Sequence, residues 1–183
     1  MAFTLIVEDG SGMTTSNAFA SNAEVTALLA AHPFADAWAA CTVQDQCIAE
    51  ASAWLSRLRW LGRQTLIGTQ AMAWPRAWVP QPDRGSQATG QPFVYDYLYF
   101  ASTIVPAFLK RATSRLALHL AQQTASAGGS GTSPYALTGL APNTDVQVGS
   151  MRLTPAAPMQ LPPDVLFEIR PMLMQTGVTA VRA

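Results

Sequence analysis

Residues able to do chemistry are sparse in this chain of 183 residues. There are two histidines, His32 and His119. His32 stands at an expected helix end beside Pro33, where the helix dipole favours an imidazole as a C-terminal cap. His119 lies between Leu118 and Leu120 on an expected helix with no acid or nucleophile at helical spacing. That setting points to packing or an interface and not to general-base work. Cys41 and Cys47 stand six apart in what reads as one helical stretch, which predicts that they lie on different sides and more than a turn apart, unsuited to a disulfide. Neither has a clear cationic neighbour to activate its thiol. The Gly/Ser run at residues 128–133 suggests a phosphate loop, but the lysine and the strand–loop–helix setting are missing. No Cys/His spacing suits zinc, and the acids form neither a catalytic pair nor a metal-ligand run. The expectation is a non-enzymatic protein without catalytic residues, metal or cofactor.

Aromatics beside arginines are the better candidates. Trp60, Arg63, Trp74, Arg76 and Trp78 have the chemistry of a stacking platform for single-stranded nucleic acid. The competing reading is that the tryptophans pack the body while the arginines bridge carbonyls and carboxylates. The chain carries 11 basic and 11 acidic side chains and no net charge. Nucleic-acid binders usually show a basic excess, because phosphate neutralisation supplies most of their affinity. The balance therefore favours packing, with Arg63, Trp74, Arg76 and Trp78 making loop or inter-subunit contacts.

Composition points the same way. The chain is 49% apolar and only 12% charged, against roughly 25% charged in an ordinary soluble domain. A surface so poor in charge suits one that partners cover. The N-terminus lacks a basic segment followed by an apolar one, so no signal peptide is expected. No apolar run approaches the ~20 residues that span a bilayer, so no membrane partner is expected.

The elements that must position these residues read as mainly helical. Residues 3–7 are strand-like and end in the turn chemistry of Glu8, Asp9, Gly10 and Gly12. Ser21 followed by Glu24 is the capping-box pattern, opening a helix that should run to about His32. A second helix, capped by Thr42 with Asp45 in its first turn, carries the stripe Cys47, Ile48, Ala51, Trp54, Leu55 and Leu58. Prolines 75, 80, 82 and 92 punctuate a long loop over residues 73–92, and aromatics follow from Phe93 to Phe100. A third helix, expected from near Thr103, carries Val105, Leu109, Ala112, Leu116 and Leu120. The Gly/Ser/Ala-rich residues 125–133 read as a linker, residues 145–153 alternate like a strand with a bend at Gly149, and residues 163–170 read as a short helix before Pro171. The fold expected is mainly α: a small helical bundle with a long loop and an extended C-terminal arm containing a short β segment. Residues 1–124 form the body, and residues 125–183 an extension that needs neighbours to be ordered.

Several stretches, in order along nearly the whole chain, carry a resemblance. They are Val7, Glu8, Asp9 and Gly10 with their Gly/Ser follow-on, then residues 16–21 leading into the first helix. Next come residues 59–63 (Arg-Trp-Leu-Gly-Arg) and residues 70–76 (Gln-Ala-Met-Ala-Trp-Pro-Arg), the most specific piece. The helix from Val105 through Leu118, residues 148–151 and residues 166–173 complete it. Together they resemble a tailed-bacteriophage head–tail connector or adaptor family, whose members often carry the label of DnaT-like single-stranded-DNA-binding proteins.

That resemblance implies a structural neck protein of the virion, assembled in the host cytoplasm. It implies a homo-oligomeric ring, a dodecamer, below the portal protein and above the next neck or tail protein, a stopper or tail terminator. Genomic double-stranded DNA would pass through the lumen without sequence recognition. Portal docking is expected of the C-terminal segment through Val165, Leu166, Ile169, Arg170 and Leu173. The alternative is a single-stranded-DNA-binding protein of phage replication.

Overall fold

The computed structural model describes residues 3–81, 99–126, 146–148, 151–153 and 161–174. It is mainly helical, as the sequence predicts. The elements are α1 (Asn22–Leu29), α2 (Ala35–Ala39), α3 (Gln44–Ser56), β1 (Arg63–Gln64), β2 (Arg76–Ala77), α4 (Ala107–Ser126), β3 (Val146–Val148), β4 (Met151–Leu153) and α5 (Pro163–Ile169). A 3-10 turn, Arg170–Met172, continues α5. Each pair of short strands is antiparallel: Arg63 faces Ala77, and Val146 faces Leu153. Gly149, the bend expected between β3 and β4, lies outside the described residues, as do residues 127–133 of the expected linker and Phe93 to Tyr97 of the aromatic run.

Helix α4 is the axis of the body, packing against α1, α2, α3 and α5. Neighbours on several sides explain why Leu109, Ala112, Leu116, Ala117 and Ala121 are all fully buried. Two hydroxyls on this helix bond its own turns: Thr113 Oγ1 donates to the Leu109 carbonyl and Ser114 Oγ to that of Lys110, both at 2.8 Å. The helix begins just after Pro106, not at Thr103, because proline fits where no amide donor is needed.

The capping box of α1 is present. Ser21 Oγ accepts the Glu24 amide, and Glu24 Oε2 accepts the Ser21 amide at 2.8 Å. α1 is nevertheless shorter than its apolar pattern suggests. The chain turns after Ala30, and His32 Nδ1 accepts the Phe34 amide at 3.2 Å, so His32 sits at the entrance of α2 instead of capping α1. α2 is anchored by buried Trp38, whose indole donates to Thr26 Oγ1 at 3.0 Å.

In α3 the expected stripe is buried from Cys47 to Leu55. Its cap is Val43, with no side-chain bond, and not Thr42. Cys41 precedes the helix, so the two cysteines do not share it. Their sulfurs stand 4.0 Å apart as free thiols, not on opposite sides as the spacing suggested. Burial first, and Cys41 second, push the Cys47 thiol up to about 12.

Residues 161–174 pack into the body, although the sequence reading placed them in a separate extension. Leu161, Val165, Ile169 and Met172 join the main core, each contributing roughly 1.5–3 kcal/mol of gross burial. The Leu61 amide bonds the Met172 carbonyl and the Met174 amide that of Arg59, around a bridge between Trp60 and Leu173. No helix among the described residues is long and apolar enough to cross a membrane.

Candidate interaction surfaces

The Trp60–Arg63 and Gln70–Arg76 stretches meet as a folded-back loop closed by β1 and β2. Buried Gln70 ties it from within: its Nε2 donates to the carbonyls of Met72 (2.8 Å) and Pro75 (3.2 Å), and its Oε1 accepts the Leu66 amide (2.9 Å). Arg76 ties it from the side. Its guanidinium donates to the carbonyls of Leu61 (2.8 Å), Gly62 (2.7 Å), Ala73 (3.2 Å) and Trp60 (3.4 Å). Burial lowers the Arg76 pKa from its ordinary value. Gly62 has φ +69°, and a Cβ there would lie 2.2 Å from the Ala77 carbonyl oxygen, so the turn requires glycine.

Trp74 is fully buried in an aromatic cluster, edge-on to Trp60, Phe100 and Phe108 at centroid distances of 5.8, 6.5 and 5.6 Å. The Trp60 indole donates to the Leu55 carbonyl at 2.8 Å. The stacking platform considered for Trp60, Trp74 and Arg76 is therefore occupied by the protein itself. The other two residues face outward. Arg63 is exposed, and Trp78 is 61% exposed, edge-on to Tyr99 at 5.5 Å.

The C-terminal candidates divide in the same way. Val165 and Ile169 are fully buried against the body, so the five expected docking residues do not share one outward face. Leu166 and Arg170 point out and Leu173 is half-buried. Phe167, which the sequence reading passed over, is 82% exposed. Beside it lies a groove of about 930 Å³ between α4 and α5, lined among others by Phe100, Phe108, Leu166, Phe167, Arg170 and Met172. Two ion pairs and a histidine–carboxylate contact fix α5 on α4. Glu168 meets Arg111 at 3.0 Å and Arg115 at 3.3 Å, and Asp164 meets His119 Nε2 at 3.1 Å. The partner of His119 thus comes from 45 residues away, beyond the reach of a helical-spacing argument.

Glu8 was legible only as part of a turn. It is buried, and its carboxylate collects four donors: the amides of Gly10 (3.0 Å), Gly12 (2.9 Å) and Met13 (3.0 Å), and Ser16 Oγ (2.8 Å). Gly10 has φ +102°, and a Cβ there would meet the Thr103 carbonyl oxygen at 2.0 Å. This cage folds the N-terminal loop onto the residues that lead into α4. Among the described residues, no group of three or more His, Cys, Asp or Glu side chains could hold a metal ion.

These features define a small mainly α-helical protein whose outward chemistry is apolar contact and scattered charge. A protein-family model described as "Putative DnaT-like ssDNA binding protein" matches residues 3–136. The chain belongs to that family. No curated protein and no solved structure matches it.

Proposed function

We propose that this chain is a structural head–tail adaptor of a tailed bacteriophage, a ring subunit that joins the portal protein to the next neck protein. The observation that carries the reading is the outward ridge of α5. The helix secures itself to α4 through Val165 and Ile169, yet turns Phe167, 82% exposed, and Leu166 to the outside next to an apolar groove. A helix that spends one face on its own body and offers another large apolar face is suited to docking against a partner. The portal contact is accordingly assigned to Leu166, Phe167 and Arg170, with Val165 and Ile169 holding the ridge in place. Substituting both Leu166 and Phe167 by serine should leave a folded chain that fails to enter portal-containing particles. Normal incorporation of that variant would remove the docking assignment.

The family description favours a second reading, a single-stranded-DNA-binding protein. Its residues would be the outward pair Arg63 and Trp78, since Trp60 and Trp74 are buried. It predicts a salt-dependent affinity for single strands that Trp78→Ala lowers by about 1–3 kcal/mol. The absence of net positive charge weighs against it.

A further inference from the structure

The chain has two cysteines, and folding brings them together although they do not share a helix. Cys41 follows Ala40, the C-terminal cap of α2, and its amide bonds the Trp38 carbonyl at 3.1 Å. Cys47 sits in the first turn of α3, its amide bonded to the Val43 carbonyl at 3.1 Å. The turn between them leaves the sulfurs 4.0 Å apart as free thiols. A disulfide holds its sulfurs about 2.0 Å apart, so closure asks each to move about 1 Å. Cys41 lies outside the helical ladder, where such an adjustment is easily made. With no other cysteine in the sequence, closure within one chain has a single outcome.

The two thiols are unequally placed. Cys41 is half-buried, while Cys47 is 5% exposed. Burial also holds Cys47 as the neutral thiol, and the thiolate is the form that attacks. Cys41 is therefore the sulfur that meets a reagent from solvent, and Cys47 waits behind it. The corner around them joins three helices. Gln44 Nε2 donates to the Trp38 carbonyl at 2.7 Å, and Asn22 Nδ2 donates to Gln44 Oε1 at 3.0 Å and Asp45 Oδ1 at 2.9 Å. Helices α1, α2 and α3 thus meet at residues that the two cysteines bracket. Among the described residues no third His, Cys, Asp or Glu completes a metal site with the pair, which leaves sulfur exchange as its chemistry.

We propose that Cys41 and Cys47 form a dithiol site that reacts with low-molecular-weight disulfides and closes reversibly into a disulfide stapling this corner. The Cys41 thiolate, its proton given to water, attacks one sulfur of a disulfide RSSR. A mixed disulfide forms on Cys41 and RS⁻ leaves, taking up a proton. Cys47 then attacks the Cys41 sulfur. The bond from that sulfur to the bound SR group breaks, and the Cys47 proton passes to the departing thiolate. In total the cysteines lose two electrons and two protons, and RSSR becomes two RSH. Excess thiol runs the same steps backwards. The inference concerns the body alone and does not rest on the adaptor reading.

The test treats the full reduced chain with oxidised glutathione, then alkylates it with iodoacetamide and measures intact mass. Wild type should lose two hydrogens, carry neither glutathione nor an alkyl group, and run as a single chain on a non-reducing gel. Dithiothreitol should restore both thiols. Oxidised wild type should also melt at a higher temperature than the reduced chain, because the closed loop restricts the unfolded ensemble. Cys47→Ala should stop with one glutathione retained on Cys41. Cys41→Ser should react at least about tenfold more slowly than Cys47→Ala, its remaining thiol being buried. Circular dichroism checks that both variants are folded, and the wild-type masses and melts decide the matter without them. Wild type that keeps a glutathione adduct or both free thiols, or that cross-links between chains, overturns the proposal. So does an oxidised chain that melts no higher than the reduced one. A Cys41→Ser variant as reactive as Cys47→Ala overturns the assignment of Cys41 as the attacking sulfur.

Discussion

The Trp60–Arg76 loop and the α4–α5 junction are built from the same kinds of residue and use them in opposite directions. In the loop, two tryptophans and an arginine are turned inward, where indoles pack edge-on and the guanidinium serves four carbonyls. At the junction, charged side chains do the fastening and an aromatic is left outside. A conspicuous cluster of binding-type residues can thus be consumed by the fold. The surface left for partners is found by removing the side chains whose bonding is already complete.

The comparison breaks first at Trp74. Trp74→Ala should cost about 3–5 kcal/mol in denaturant unfolding, because it empties the centre of the aromatic cluster. Phe167→Ser, at an aromatic in the other region, should change stability by no more than about 0.5 kcal/mol. If the two costs were similar, the inward–outward distinction would be wrong.

The N-terminal cage comes next. Glu8→Gln replaces one carboxylate oxygen by an amide NH2 that must face two donors, either Gly10 and Gly12 or Met13 and Ser16. The expected loss is about 2–3 kcal/mol in the same unfolding measurement. A neutral outcome would mean that the cage does not hold the loop.

The smallest effect lies at Glu24. Burial alone would raise its carboxyl, but the Lys110 ammonium and the Ser21 amide and hydroxyl outweigh it and hold the group below the usual carboxylate range. Since its folded value is depressed, its stabilisation is present above the ordinary glutamate pKa and is lost as pH falls through the depressed one. The pair is partly exposed, so Glu24→Gln should cost under about 1 kcal/mol near neutral pH. Melting temperatures followed into acid should then fall less steeply in the variant than in wild type. An unchanged acid limb would deny Glu24 that role.

What could be read in the sequence was local. The Ser21–Glu24 box and the α3 stripe depend on neighbours within a turn or two; the box formed as read, and the stripe did so from Cys47 to Leu55, with Leu58 beyond the helix end. The cysteine pair was misjudged because Cys41 was counted into the helix although the capping residue Thr42 already put the helix start after it; no glycine or proline marks the place more strongly. The fastening of α5 to α4 joins residues 45 and 57 apart, which no periodicity reveals. Trp74 and Trp78 show the limit most clearly. They are four residues apart and chemically identical, yet one is fully buried and the other largely exposed. The positive φ of Trp78, +64°, and the pairing of Arg76 with Gln64 set that difference, and both arise from the closed loop as a whole.

The most direct test of the adaptor assignment is mass and image analysis of purified virions or isolated necks. This chain should appear as a stoichiometric ring directly beneath the portal, with the α5 ridge of Leu166 and Phe167 at the portal contact. Particles that lack the chain, with the protein left in the infected cytoplasm, would contradict it.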